Sequence, residues 1–199
     1  MTLMIKICGL RTRGDVEAAV AAGANAIGFV FAESVRRVTP AAARDAAAGA
    51  PADILRVAVM RHPGQAEWQA VADGFAPDVL QTDVADFTAL DVPGTLRRWP
   101  VYREGQKIDP AHLPDEFLYE GRSSGSGETV DWDRAQSLAA RGRMILAGGL
   151  SSANVGTAIE RARPWGVDVS SAVERTPGEK DPQMIRSFIA AARAAEQRP

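Results

Sequence analysis

The sequence holds a single cysteine, Cys8, in 199 residues. No internal disulfide can form, and a reducing cytoplasm is the expected setting. No apolar run approaches the roughly 20 residues that a membrane-crossing helix needs, so no membrane association is expected. Residues 1–7 are too short and too soon charged, at Lys6, to read as a secretory signal. An excess of one charge is lacking too: 23 Lys and Arg stand against 25 Asp and Glu, a net charge of −2. With no basic cluster to offset that balance, nucleic acid is not an expected partner. No linker or low-complexity tract interrupts the chain, and no G-x-G-x-x-G run follows the first apolar segment. The missing glycine fingerprint counts against a doubly wound open sheet.

What is present suits a globular protein. A 46% hydrophobic, 24% charged chain of this length can build one core, and one domain over residues 1–199 is expected. Short β-branched runs alternate with Ala-rich helical stretches, the pattern of a parallel sheet wrapped in helices. Strands are predicted at 5–8, 24–31, 54–60, 79–81, 95–102, 117–120, 144–147 and 167–170. Pro100 interrupts the fifth. Helices are predicted at 14–22, from Thr39-Pro40 onward, and at 65–73, 131–141, 151–161 and 182–196, with only weak turns at 85–90 and 109–113. Thr39 and Pro40 make a good N-cap and first-turn pair. Eight strand–helix units of about 25 residues give a compact (β/α)8 TIM barrel, an α/β fold whose chemistry sits at the C-terminal ends of the strands.

Those ends carry Cys8, Phe31, Arg61, Gln81-Thr82-Asp83, Glu120, Gly148-Gly149 and Ser170-Ser171. The last two turns carry the clearest signal. Small residues let backbone N–H groups approach an anion, and loops after the last two strands are the usual phosphate site of this fold. The helix after Gly148-Gly149 is expected to be capped by Ser151 or Ser152; alternatively the glycines only permit a tight turn. Gly125 and Gly127, in the run 124–127, add a flexible donor-rich loop near the same rim. Cys8 is either a small buried hydrophobe or a catalytic thiol. Glu120 ends an apolar strand, where burial would suit it to proton donation. Asp83 could do the same or cap a helix. Arg36 and Arg37 are either a solvated pair or contain one carboxylate-binding fork.

Taken together, these residues resemble the phosphoribosylanthranilate isomerase family along nearly the whole chain. Lys6-Ile7-Cys8-Gly9 is similar to the family's opening K-I-C-G, and residues 23–31 (GANAIGFVF) to its second-strand signature. The segment 34–38 (SVRRV) is similar to S-P-R-x-V, and Leu80-Gln81 to the fourth-strand L-Q. Most specific are Asp131-Trp132, 145–155 (ILAGGLSSANV) and 167–182 (VDVSSAVERTPGEKDP). The resemblance implies an isomerase of tryptophan biosynthesis that performs an Amadori rearrangement on a phosphosugar. It implies no metal or redox cofactor, and a monomer or homodimer. It assigns Cys8 as general base, Glu120 as general acid and Arg36 as the holder of the anthranilate carboxylate. Gly148, Gly149, Ser170 and Ser171 become phosphate turns. Asp168, Gln81, Asp83, Gly125 and Gly127 become substrate contacts.

Departures from the family pattern fall in the same region. Glu120 is one methylene longer than the usual aspartate, and the loop after it is shorter than usual. Ser124 begins S-G-S-G where G-G-T-G is typical, Asp83 stands where a histidine is usual, and Ala172 replaces a common glycine. A longer acid on a shorter loop would restore the donor position. The related aminoaldose isomerase of histidine synthesis fits less well, since strand one ends in Cys8. A non-catalytic phosphosugar binder would need neither Cys8 nor Arg36.

Overall fold

The computed structural model describes residues 2–122 and 129–197. Eight parallel strands close into a barrel in sequence order: β1 (Met4–Cys8), β2 (Ala26–Val30), β3 (Leu55–Val59), β4 (Val79–Asp83), β5 (Arg97–Arg103), β6 (Glu116–Glu120), β7 (Arg143–Leu146) and β8 (Gly166–Val169). The expected TIM barrel is therefore present. Period-two alternation sorts each strand between two cores. On β1, Ile5 and Ile7 pack outward against the helices, while Lys6 and Cys8 occupy the alternate positions. The barrel interior is filled by Ala26, Val57, Val79, Trp99, Leu118 and Ile145, among others.

Six α-helices wrap the described barrel: α1 (Arg13–Ala22), α2 (Pro40–Ala47), α3 (Gln65–Phe75), α4 (Trp132–Ala139), α5 (Val155–Ala162) and α6 (Pro182–Glu196). Their starts follow the capping chemistry of the sequence. Thr12 and Asp15 form a reciprocal capping box on α1, and Thr39 caps α2 with Pro40 behind it. Gly23, at φ +98, ends α1 in the left-handed conformation. Units four and five carry only 3-10 turns, Val84–Thr88 and Pro110–His112, where the sequence signal was weak. No described helix is long and apolar enough to cross a membrane.

Three local expectations are corrected. Strand β5 runs through Pro100 to Arg103, with Pro100 still in register with Thr82. The helix after β7 opens at Val155, not at Ser151. The four intervening residues form a turn in which Asn154 accepts from Ser151 N–H at 2.8 Å and donates to the Gly149 carbonyl at 2.9 Å. Between β8 and α6 the chain inserts a small antiparallel hairpin, β9 (Glu174–Thr176) and β10 (Glu179–Lys180), which the sequence reading lacked.

Candidate active site

The site grows from the inward face of β1. Lys6 is fully buried, and its ammonium donates to Asp168 Oδ1 of neighbouring β8 at 2.9 Å, directly across the ladder. One step toward the rim, Cys8 pairs in register with Gly28 of β2. The bare Cα of Gly28 is required here. A Cβ on it would stand 3.2 Å from both Cys8 Sγ and Lys6 Nζ, and 2.9 Å from Lys6 Cε. Burial pushes the Cys8 thiol above its usual range. Lys6 and Lys180 pull it down and Asp168 adds to the rise. Burial would discharge Lys6, but the Asp168 carboxylate and the Cys8 sulfur outweigh it and hold the amine charged.

Gly9 joins this pair to a second cluster. Its φ of +78 favours glycine, and a Cβ there would lie 2.6 Å from Arg36 Cδ and 3.1 Å from Ser170 Oγ. Arg36 is bound side-on by Glu174, with Nε and Nη2 donating to the two carboxylate oxygens at 2.7 and 2.8 Å. Glu174 also accepts from Lys180 at 2.7 Å and from Gly178 N–H at 3.1 Å. Burial alone would raise its pKa, yet the bonds from Arg36 and Lys180 bring it down to about 2. Lys180 donates to the Ser170 carbonyl at 2.9 Å as well, so the β9–β10 hairpin ties the end of β8 to the β2 loop. Arg36 Nη1 donates to no described residue.

A third cluster lies across β3–β6. Arg103, the last residue of β5, donates to Asp83 Oδ1 at 2.6 Å and to Glu120 Oε1, linking both candidate acids. His62, just past β3, sets Nε2 3.3 Å from Asp83 and Nδ1 3.0 Å from Asp86. The ligand atoms of His62, Asp83 and Asp86 lie within 4.8 Å of one another, close enough for a metal ion. Thr82 and the His62 N–H already bond Asp86, and Arg103 bonds Asp83. Gln81 is buried, and its Oε1 accepts from no described residue. In the turn after β7, Gly148 and Gly149 both take left-handed φ values, +90 and +60. Their N–H groups donate to no described residue. Ser171 opens a 3-10 turn, with Ser170 before it. Gly125 and Gly127 lie outside the described residues.

A family model for N-(5'-phosphoribosyl)anthranilate (PRA) isomerase matches residues 5–191. The chain belongs to that family of isomerases. An N-(5'-phosphoribosyl)anthranilate isomerase from Listeria welshimeri is 40% identical over 207 residues, covering 98% of this chain and all of the relative. Among solved structures, the phosphoribosyl anthranilate isomerase of Thermus thermophilus superposes with a TM-score of 0.84 at 29% identity, covering 96% of this chain and 99% of that one. A phosphoribosyl anthranilate isomerase in complex with reduced 1-(o-carboxyphenylamino)-1-deoxyribulose 5-phosphate gives 0.76 at 29%, covering 97% of this chain and all of that one.

Within this isomerase-family barrel, the sequence-identified residues fall into three groups. Cys8, Arg36 and Ser170 gather around Gly9 and Gly28 and Asp168 joins them through Lys6, Asp83 and Glu120 meet at Arg103, and Gly148-Gly149 form their own turn. Sequence reasoning missed Lys6, Glu174, Lys180, Arg103 and His62 as members of the site. For Lys6 a signal existed: it shares the strand parity of Cys8. Glu174 and Lys180 sat inside a quoted motif, but their meeting depends on a hairpin that the sequence did not announce.

Proposed function

We propose that this chain converts N-(5'-phosphoribosyl)anthranilate into 1-(2-carboxyphenylamino)-1-deoxyribulose 5-phosphate by an Amadori rearrangement, in the cytoplasm and without a cofactor. Glu120 donates a proton to the ribose ring oxygen. The C1–O bond breaks as the anilino nitrogen shares its lone pair, leaving an iminium. Cys8, as thiolate, takes the C2 proton. The C–H pair becomes the C1–C2 double bond and the iminium π pair returns to nitrogen. The resulting enolamine then loses its hydroxyl proton and gains one at C1, giving the ketone. Only protons move, so an acid, a base and an anchor suffice.

The observation that carries this reading is the approach of Arg36 to the residue that follows Cys8. Gly9 follows Cys8 directly, and Arg36 Cδ passes 2.6 Å from the point that a Gly9 Cβ would occupy. A guanidinium there binds the anthranilate carboxylate through its end-on Nη1–Nη2 edge, since Glu174 holds the side-on edge. The phosphate rests on the N–H groups of Gly148 and Gly149, which donate to no described residue, and on the Ser170-Ser171 turn. Asp168 contacts the sugar from the β8 side. Gln81 Oε1, a buried acceptor with no donor among the described residues, takes a ribose hydroxyl.

The test is loss of phosphoribosylanthranilate fluorescence in a coupled assay. Wild type turns over, and Cys8→Ala loses roughly 10²–10⁴-fold in rate, the range for general base catalysis. Glu120→Gln is expected to fall comparably. If Glu120→Gln stayed near normal while Asp83→Asn lost turnover, the acid would be Asp83. A Cys8→Ala variant at wild-type rate would overturn the reading.

A further inference from the structure

Lys6 is a buried charge that the proton transfers above leave unused. It lies two residues before Cys8 on the same inward face of β1, with no solvent exposure. A buried ammonium must be paired, and Asp168 pairs it at 2.9 Å. Stability alone does not account for such a pair, because an apolar pair of similar volume serves a core as well or better. What an apolar pair cannot supply is positive charge beside the thiol. Lys6 Nζ and Cys8 Sγ converge on one point, each 3.2 Å from where a Gly28 Cβ would sit, and the missing side chain of Gly28 keeps that space open.

We propose that Lys6 is a positioning residue for Cys8: its ammonium, anchored by Asp168, is the countercharge that offsets part of the cost of burying a Cys8 thiolate and so makes it available to take the substrate's C2 proton. Lys6 keeps its own protons throughout. This rests on the reading of Cys8 as base. The other charged groups facing the sulfur are Asp168 from β8, Lys180 from β10 and Arg36 from the β2 loop. Lys180 and Arg36 share the carboxylate of Glu174, which spends part of their charge away from the sulfur. Burial is the strongest influence and raises the thiol; among the charges that act on it, Lys6 pulls it down most and Asp168 opposes Lys6.

The sole cysteine makes the test unambiguous, because any thiolate signal reports Cys8. Thiolate ultraviolet absorption is titrated in the full chain as a difference against Cys8→Ser, which cancels the tyrosines. Lys6→Met is expected to move the titration midpoint up by at least about one unit, tenfold less thiolate at a given pH. It should also lower kcat about tenfold, with KM changed by no more than about threefold. Lys6→Met/Asp168→Asn leaves no charge of the pair behind and should shift the midpoint the same way, so the test survives if the single variant does not fold. A midpoint unchanged or lowered in either folded variant would overturn the proposal. If Cys8→Ala kept turnover while Lys6→Met shifted the titration, the base reading would fail and the pairing would stand.

Discussion

Arg36 gives its side-on edge to Glu174, with Nε 2.7 Å and Nη2 2.8 Å from the two carboxylate oxygens. The contact fixes an arginine that would otherwise sample many rotamers, and it leaves one fork free for a second carboxylate. Glu174 is thus structural support for a binding group, and it also compensates the charge of Lys180, whose side chain is fully buried.

Replacing Glu174 with Gln should therefore cost both stability and binding. Two cations lose their anion, an expected loss of about 3–5 kcal/mol, read as a lowered urea midpoint. KM should rise as Arg36 loses its brace. Acid dependence follows from the same pair. The pKa of Glu174 falls from an ordinary 4.5 to about 2 on folding. Its contribution is fully present above 4.5 and is lost as pH falls toward 2, a loss of roughly 3 kcal/mol. Wild type should lose that share across the window, and Glu174→Gln should not.

Gly9→Ala should damage binding more than stability. The left-handed φ of +78 costs an alanine about 1–2 kcal/mol. Its Cβ would meet Arg36 Cδ at 2.6 Å, so the guanidinium must move off its fork. We expect a lowered melting temperature and a KM raised at least about tenfold. An unchanged KM would separate Arg36 from substrate binding.

Gln81→Leu should exchange function for stability. A buried acceptor without a partner costs roughly 1–3 kcal/mol, which leucine avoids. The variant should unfold at higher urea and show a raised KM for the phosphosugar. A variant that is more stable with an unaltered KM would leave Gln81 outside the substrate site.

Asp83 and Glu120 should behave as one unit through Arg103. Asp83→Asn and Glu120→Gln are expected to be non-additive in kcat by about 0.5–3 kcal/mol, and additive once Arg103 is Met. Additivity in the wild-type background would mean that the clamp carries no coupling.

Much of the barrel was legible because several strands end close to small residues that break the apolar pattern, as at Cys8-Gly9 and before Gly148-Gly149. The weak helical pattern after β4 and β5 corresponded to real 3-10 turns. The site was legible only in part. Ending strand five one residue early left Arg103 out of the rim, and that residue links both acids. The Asp83 departure looked like a lost histidine, yet His62 from the neighbouring strand end reaches that carboxylate, at a residue with φ +49 that no periodicity marks. The Arg36–Glu174 pair spans 138 positions, and nothing local in either segment specifies it.

Whether Cys8 and Glu120 face one sugar is decided by a crystal structure of the wild-type chain with the reduced product analogue bound. Cys8 Sγ is expected within about 4 Å of the sugar's C2, just beyond hydrogen-bond reach, with the carboxylate on the Nη1–Nη2 edge of Arg36 and the Glu120 carboxyl beside the former ring oxygen. An analogue whose C2 faces away from Cys8, with its carboxylate bound elsewhere, would contradict it.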